Sequence, residues 1–221
     1  MRPLLIAGAF LACAVLWSGS SQADTYDAAG LSFSDELGGF RLISASGAGT
    51  IADPIVVVEE ITQVGPAVLV IRGAQSILHQ GQQTMAMGFI HLAVIKIVIN
   101  RTGRVWTGFD LELQEIPKQP SPYEDGLSFD QLGSFAGERF QSDGFTTARR
   151  VSEPYDRVRF HGGAVDPGQA VRFNFYITDP TPKPEFFLLQ EPQLLVAGVP
   201  GSAGQLAAAF RGSALHNGAR E

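Results

Sequence analysis

The chain has 221 residues, 45% of them hydrophobic and 17% charged, with a formal net charge of −6. That length favours one domain or two, the apolar share excludes wholesale disorder, and the low charge density excludes a long solvated coiled coil. An acidic balance of 22 Asp and Glu against 16 Lys and Arg argues against binding nucleic acid through its phosphates, which takes clustered cations.

In chain order, the first element is an address. Residues 1–23 read as a secretory signal peptide: Arg2 supplies the positive start, Leu4 to Trp17 is apolar or small throughout, and Ser21-Gln22-Ala23 fits the small-x-small cleavage pattern. The apolar run falls short of the roughly 20 residues that a membrane-spanning helix needs. A lipoprotein signal at Cys13 is the rival reading, and Phe10 three residues earlier fits it poorly. Cleavage after Ala23 would remove Arg2 and Cys13, leaving a mature chain one charge more negative, with no thiol and no transmembrane segment. The expectation is an exported protein, periplasmic or extracellular.

Residues 24–37 are polar and small and read as a flexible N-terminal arm. Strand candidates follow at 55–62 and 67–73. The run 89–99 is apolar on both parities, as expected of a central strand covered on both faces. From 105 to 116, Val105, Phe109, Leu111 and Leu113 share one parity, and Asp110, Glu112 and Gln114 the other. That is the period of a strand with one buried and one wet face. Val158 and Phe160 alternate with Arg157, Arg159 and His161. Val171, Phe173, Phe175 and Ile177 alternate with Arg172, Asn174, Tyr176 and Thr178. The last strand candidate is 186–196, and the Gly-, Ala- and Ser-rich residues 198–221 read as a poorly ordered C-terminal tail.

Gly and Pro punctuate these runs, at Gly65-Pro66, Gly162-Gly163, Asp166-Pro167-Gly168 and 179–184, where they supply chain stops and unusual backbone angles. Short strands at regular spacing predict an all-β fold. The expected architecture is an antiparallel β-sandwich, Ig-like or jelly-roll-like, over residues 38–197.

Several fragments carry a resemblance. They are 100–103 with 106–113, then Asp125-Gly126-Leu127-Ser128-Phe129, Ser142-Asp143-Gly144-Phe145, Phe160-His161-Gly162-Gly163 through Gly168, and 186–192. In that order they resemble the β-sandwich ectodomains of uncharacterised bacterial exported proteins, including those with PEP-CTERM sorting tails. The similarity covers about residues 90–193, and its motifs are structural. It implies a sandwich and export, and brings no reaction. After Val199-Pro200-Gly201 this chain lacks the long apolar helix and basic end of the tailed members.

Candidate chemistry is sparse. Glu124, Asp125, Asp130 and Asp143 lie in Gly-rich connections, and oxygen ligands on loops suit Ca²⁺, so Asp125, Asp130 and Asp143 are candidate metal ligands. The alternative is turn carboxylates bonding nearby backbone amides. Asp110 and Glu112 share a strand face at roughly 6.5–7 Å, within the spacing of about 5–9 Å that glycoside hydrolysis uses. The bland account is a solvated strand face.

Arg157, Arg159 and His161 form a cationic stripe that would meet those carboxylates across the sheet or hold an anionic ligand. Trp106 and Tyr176, with Tyr123 and Tyr155, are candidate aromatic platforms for a sugar or a partner. His79, His91, His161 and His216 lack metal-ligand spacing, and no Gly-x-Ser-x-Gly elbow or phosphate loop occurs. Asn100-Arg101-Thr102 matches a glycosylation sequon but reads better as a turn.

The expected function is a non-catalytic exported module that binds a protein or glycan partner or is structural, without a required cofactor. The alternatives are a carbohydrate-active hydrolase at Asp110 and Glu112 and a calcium-stabilised adhesin-like domain.

Overall fold

The computed structural model describes residues 23–80, 85–86, 89–130, 140–151 and 156–195. Residues 1–22 of the leader expected at 1–23, with Cys13, the tail at 198–221, Tyr155 and His216 lie outside the described residues.

The protein is all-β, with a single short helix, α1 (Ala74–Gln80), and a 3-10 turn at Tyr123–Asp125 among the described residues. The strands are β1 (Thr25–Ala28), β2 (Leu31–Ser34), β3 (Phe40–Ser46), β4 (Ile55–Ile61), β5 (Ala67–Arg72), β6 (Met85–Ala86) and β7 (Phe89–Asn100). They continue with β8 (Trp106–Gln114), β9 (Ser128–Phe129), β10 (Gln141–Ser142), β11 (Phe145–Arg150), β12 (Arg157–Val165), β13 (Ala170–Asp179) and β14 (Glu185–Leu194). Sheet one runs β1-β2-β5-β14-β8-β12-β11. Sheet two runs β10-β13-β7-β4-β3, with β6 also on β7 and β9 also on β13. Among the described residues every strand pairing is antiparallel except β4 with β7. Between those two strands the chain crosses to sheet one as β5, and a parallel partner requires such a crossover.

The two sheets share one apolar core, in a sandwich-like arrangement. Phe173 of β13 lies at its middle, with ring centroids 4.9 Å from Phe109, 4.8 Å from Phe160 and 6.1 Å from Phe145. Phe109, Leu111, Leu113, Val158, Phe160, Val171, Phe175 and Ile177 are all buried, as their alternation predicts.

Four local features differ from the sequence reading. Residues 24–37 are not a loose arm: β1 and β2 form a hairpin across Ala29 and Gly30, both at positive φ (54° and 76°), and Leu31 and Phe33 enter the core. The hairpin turn matches the strand twist with two left-handed residues, and a non-glycine at the first disguises it. Gly162-Gly163 does not end a strand but lies inside β12, at a register shift between His161 and Val165. A Cβ on Gly163 would sit 1.9 Å from the Gly144 carbonyl oxygen, so the close approach of β11 demands glycine there.

Trp106 is the third departure. Gly108 pairs with His161 and Gln193, but Trp106 pairs with Val165 and Leu194, so the register slips at Thr107. The bulge turns Trp106 into the core, fully buried against Phe109, with Nε1 donating to Thr102 Oγ1 at 3.0 Å. It therefore offers no exposed platform. Asn100 of the sequon is likewise buried. Its Nδ2 donates to the carbonyls of Arg104 (2.7 Å) and Val165 (3.0 Å), and its Oδ1 accepts from Thr102 N (3.0 Å), the turn role expected for it.

The fourth difference concerns β7. Its two parities are not equally covered: Ile90, Leu92, Val94, Lys96 and Val98 face inward and are buried, while Ile95, Ile97 and Ile99 face outward and are half-buried. One register puts four aliphatic side chains and one lysine in the core, and a one-residue slip would expose those four.

Truncating Phe173 removes the ring on which three others converge, so Phe173→Ala should cost about 3–5 kcal/mol of stability, measured by chemical denaturation. A loss under about 1 kcal/mol would mean that this ring is not central to the core.

Candidate functional site

The outer face of sheet one carries the expected cationic stripe, and register fixes its partners. Arg157 stands opposite Glu112, and Arg159 opposite Asp110. Arg159 forks onto Asp110, with Nε 3.0 Å from Oδ1 and Nη2 2.7 Å from Oδ2. Arg157 Nε donates to Glu112 Oε2 at 2.6 Å, and its Nη2 closes on the same oxygen. Asp110 and Glu112 are each 2% exposed. The fork of Arg159 on Asp110 is strong and directional, and Glu112 takes Arg157 on Oε2 and Gln114 on Oε1, so both carboxylates are held in fixed positions. Neither is presented as a free acid or nucleophile. His161, at the end of the stripe, is exposed and stands opposite Gly108 and Thr147.

Beside this ladder the face turns apolar. Val68 and Val70 of β5 and Phe187 and Leu189 of β14 form their own cluster, separate from the main core. Leu189 stands opposite Glu112, which continues the row to Arg157. A groove of about 710 Å³ opens along this border. Val68, Leu189, Glu112, Gln114 and Arg157 line its floor, Leu37 and Pro66 one rim, and Pro117, Lys118 and Pro120 the other. Its volume is that of a small-molecule or peptide pocket.

The second rim is pinned. Gln114 Nε2 donates to Glu112 Oε1 at 2.7 Å, and Gln114 Oε1 accepts from the Lys118 backbone N–H at 2.8 Å. Lys118 is held at φ 65°, where a side chain is disfavoured, so the rim keeps a shape that local preference opposes.

A cluster of acids lies where the 115–125 connection meets the loop after β13. Asp179 has its carboxyl pushed up to about 6, chiefly by burial, with the like charges of Glu115 and Asp125 adding to it. The Thr181 backbone N–H, donating to Oδ1 at 2.9 Å, opposes the shift. Burial also raises Glu115 and Asp125 above the usual carboxylate range. Ser121 Oγ donates to Asp125 Oδ2, and the Leu127 N–H donates to Oδ1 at 3.0 Å.

The expected calcium ligands do not converge. Asp125 belongs to this cluster. Asp130 is buried and close enough to His91 for its charge to oppose the lowering of that ring's pKa by burial. Asp143 accepts from the Arg172 N–H at 2.7 Å, near the opposite end of β13 from Asp179. Among the described residues no group of three or more His, Asp or Glu side chains is arranged to hold a metal ion. Arg157, Arg159 and His161 stand together. Tyr176 does not join them: it lies on the outer face of sheet two, its ring 5.8 Å from His91.

One polar group escaped the sequence reading. Glu59 of β4, Lys96 of β7 and Gln190 of β14 are all 0% exposed. Lys96 Nζ donates to Glu59 Oε2 at 2.6 Å, and Gln190 Nε2 donates to the same oxygen at 3.2 Å. Burial pushes Glu59 up and Lys96 down, while their mutual attraction opposes both shifts. The signal was present: each is a polar residue at a core-parity position with apolar inward neighbours, Val57 and Ile61 on β4, Val94 and Val98 on β7, and Leu188 on β14.

No family model matches the chain, nor does any curated protein or solved structure. Among the described residues no helix is long and apolar enough to cross a membrane.

The raised Asp179 carboxyl makes stability depend on pH. The unfolded chain releases that proton near 3.8 and the folded protein near 6, so folding takes up a proton in between and stability falls as pH rises through that window. Asp179→Asn should flatten this slope and make the protein more stable than wild type at neutral pH, by on the order of 2 kcal/mol, in denaturant melts run across the window. An unchanged slope would show that Asp179 titrates normally.

Proposed function

We propose that this is an exported, non-catalytic β-sandwich protein of the cell envelope or extracellular space that works by binding a protein segment in the groove on sheet one. The groove carries the proposal. It joins an apolar floor, from Val68 and Leu189, to a charged edge where the exposed Lys118 lies beside the Arg157–Glu112 pair, between proline-bearing walls. Leu37 on its rim is 52% exposed. An extended peptide with an apolar side chain beside an acidic one would match this border. A glycan fits less well, because sugar recognition leans on aromatic faces and, among the described residues, no aromatic side chain lines the groove.

The arginine-locked Asp110 and Glu112 also favour binding over hydrolysis, since glycoside cleavage needs one carboxyl protonated and the other free. Export rests on the leader at 1–23 and on the resemblance to exported sandwich proteins. The face-to-face sheets support placing the fold among Ig-like or jelly-roll-like sandwiches.

Expression of the full chain in a bacterial host should yield a product outside the cytoplasm that begins at Asp24. Cytosolic product retaining Met1 would refute export. For the groove, cross-linking the mature protein to envelope fractions should capture a partner. Leu37→Asp with Arg157→Ala should lose it, and Tyr176→Ala on the far face should keep it. Robust turnover of glycosidic substrates, abolished by Asp110→Ala in a folded protein, would overturn the non-catalytic reading.

A further inference from the structure

Three strands from two sheets each place one polar side chain at an inward position, and the three meet. Lys96 and Glu59 come from adjacent strands of sheet two, and Gln190 from the facing strand of sheet one. Both nitrogens, Lys96 Nζ and Gln190 Nε2, bond to one oxygen, Glu59 Oε2. Glu59 Oε1 and Gln190 Oε1 are then buried with no hydrogen-bond partner. As a plain ion pair this is a poor arrangement: two charges are taken out of water and two acceptors are left unsatisfied.

We propose that Lys96 and Gln190 become joined by an isopeptide bond inside the folded core, with Glu59 as the proton relay. The reaction needs a neutral amine, a carboxyl group able to give and take a proton, and a carboxamide, held together away from water. Those are the three groups present. Burial drives Lys96 toward the free amine and Glu59 toward the protonated acid, the forms in which the lysine has a lone pair and the glutamic acid a proton to give.

Lys96 Nζ attacks Gln190 Cδ and forms the C–N bond. Glu59 gives its proton to Nε2, the Cδ–Nε2 bond breaks, and ammonia leaves. The proton lost from Nζ returns to Glu59, which ends as it began. Atoms and charge balance, and no oxidant or cofactor takes part. Holding the groups in one core replaces a bimolecular encounter, which lowers the barrier by pre-ordering the reactants.

Bringing Nζ onto Cδ takes rotation of the flexible lysine stem. A small apolar cavity of about 10 Å³, lined by Lys96 with Leu92, Val94, Phe175 and Leu188, lies beside that stem. The product also suits the site better than the reactants. A neutral amide replaces the amine, its N–H can donate to one Glu59 oxygen, and its carbonyl can accept from the protonated carboxyl. The bond would tie sheet one to sheet two, in a chain whose one cysteine permits no internal disulfide.

The test is mass spectrometry of the purified protein under denaturing, reducing conditions. The wild type should be lighter than its sequence by one ammonia, and digestion should release a branched peptide linking the Lys96 segment to the Gln190 segment, with no cleavage after Lys96. The branched peptide separates this from ammonia lost elsewhere. Glu59→Gln and Gln190→Leu should each restore the full mass and cleavage after Lys96. Wild-type protein at full sequence mass, with Lys96 open to trypsin and to amine acylation once denatured, would overturn the proposal, whatever the variants do. Loss of ammonia without the branched peptide would overturn it equally.

Discussion

Two sheets can share one core only if every strand turns a single side-chain parity inward and holds it along its length. Phe173 and the rings around it supply the attraction that makes this constraint binding, because one register slip on β13 would exchange four buried apolar side chains for Arg172, Asn174, Tyr176 and Thr178. The constraint is strong enough to be obeyed where it is costly. Lys96 and Glu59 lie inside because Leu92, Val94 and Val98 on one strand, and Ile55, Val57 and Ile61 on the other, must lie inside. The outward isoleucines of β7 are the other side of the same choice.

The same alternation builds the outer face of sheet one. Once Phe109, Leu111, Val158 and Phe160 face the core, Asp110, Glu112, Arg157 and Arg159 have to face outward, and antiparallel pairing sets opposite charges against each other. Val68, Phe187 and Leu189 extend that face into apolar ground because β5 from Ala67 to Ile71 and β14 from Phe186 to Leu189 are apolar on both parities. The groove therefore follows from strand order as much as from any one residue. It lies where a charged strand pair meets an apolar one, and the loop pinned by Gln114 and Lys118 gives it a wall.

Much of the fold is legible in period-two patterning. The strands at 67–72, 106–114 and 170–179, and the first part of β12 up to His161, follow from alternation or apolar runs, and parity puts Arg157 and Arg159 on one strand face and Asp110 and Glu112 on another, which the register of β12 on β8 then pairs. What escaped has physical reasons. The β1–β2 hairpin uses Ala29 at a left-handed position, which hides the turn. Trp106 changes face through a bulge, and a bulge leaves no mark in the alternation of a single strand. Asp179 and Glu115 lie far apart along the chain, so their proximity depends on tertiary packing. The Glu59–Lys96–Gln190 group was visible as three exceptions to the inward pattern, but only the pairing of β4 with β7, and of their sheet against β14, brings the exceptions together.

The parity of β7 is the point on which the core, the buried polar group and the outward face all turn. The most direct measurement is thiol labelling of single cysteines at neighbouring positions of that strand, in a Cys13→Ser background. Ile97→Cys should react in the native protein, and Val98→Cys should react only after unfolding. Equal reactivity, or the reverse order, would contradict the account.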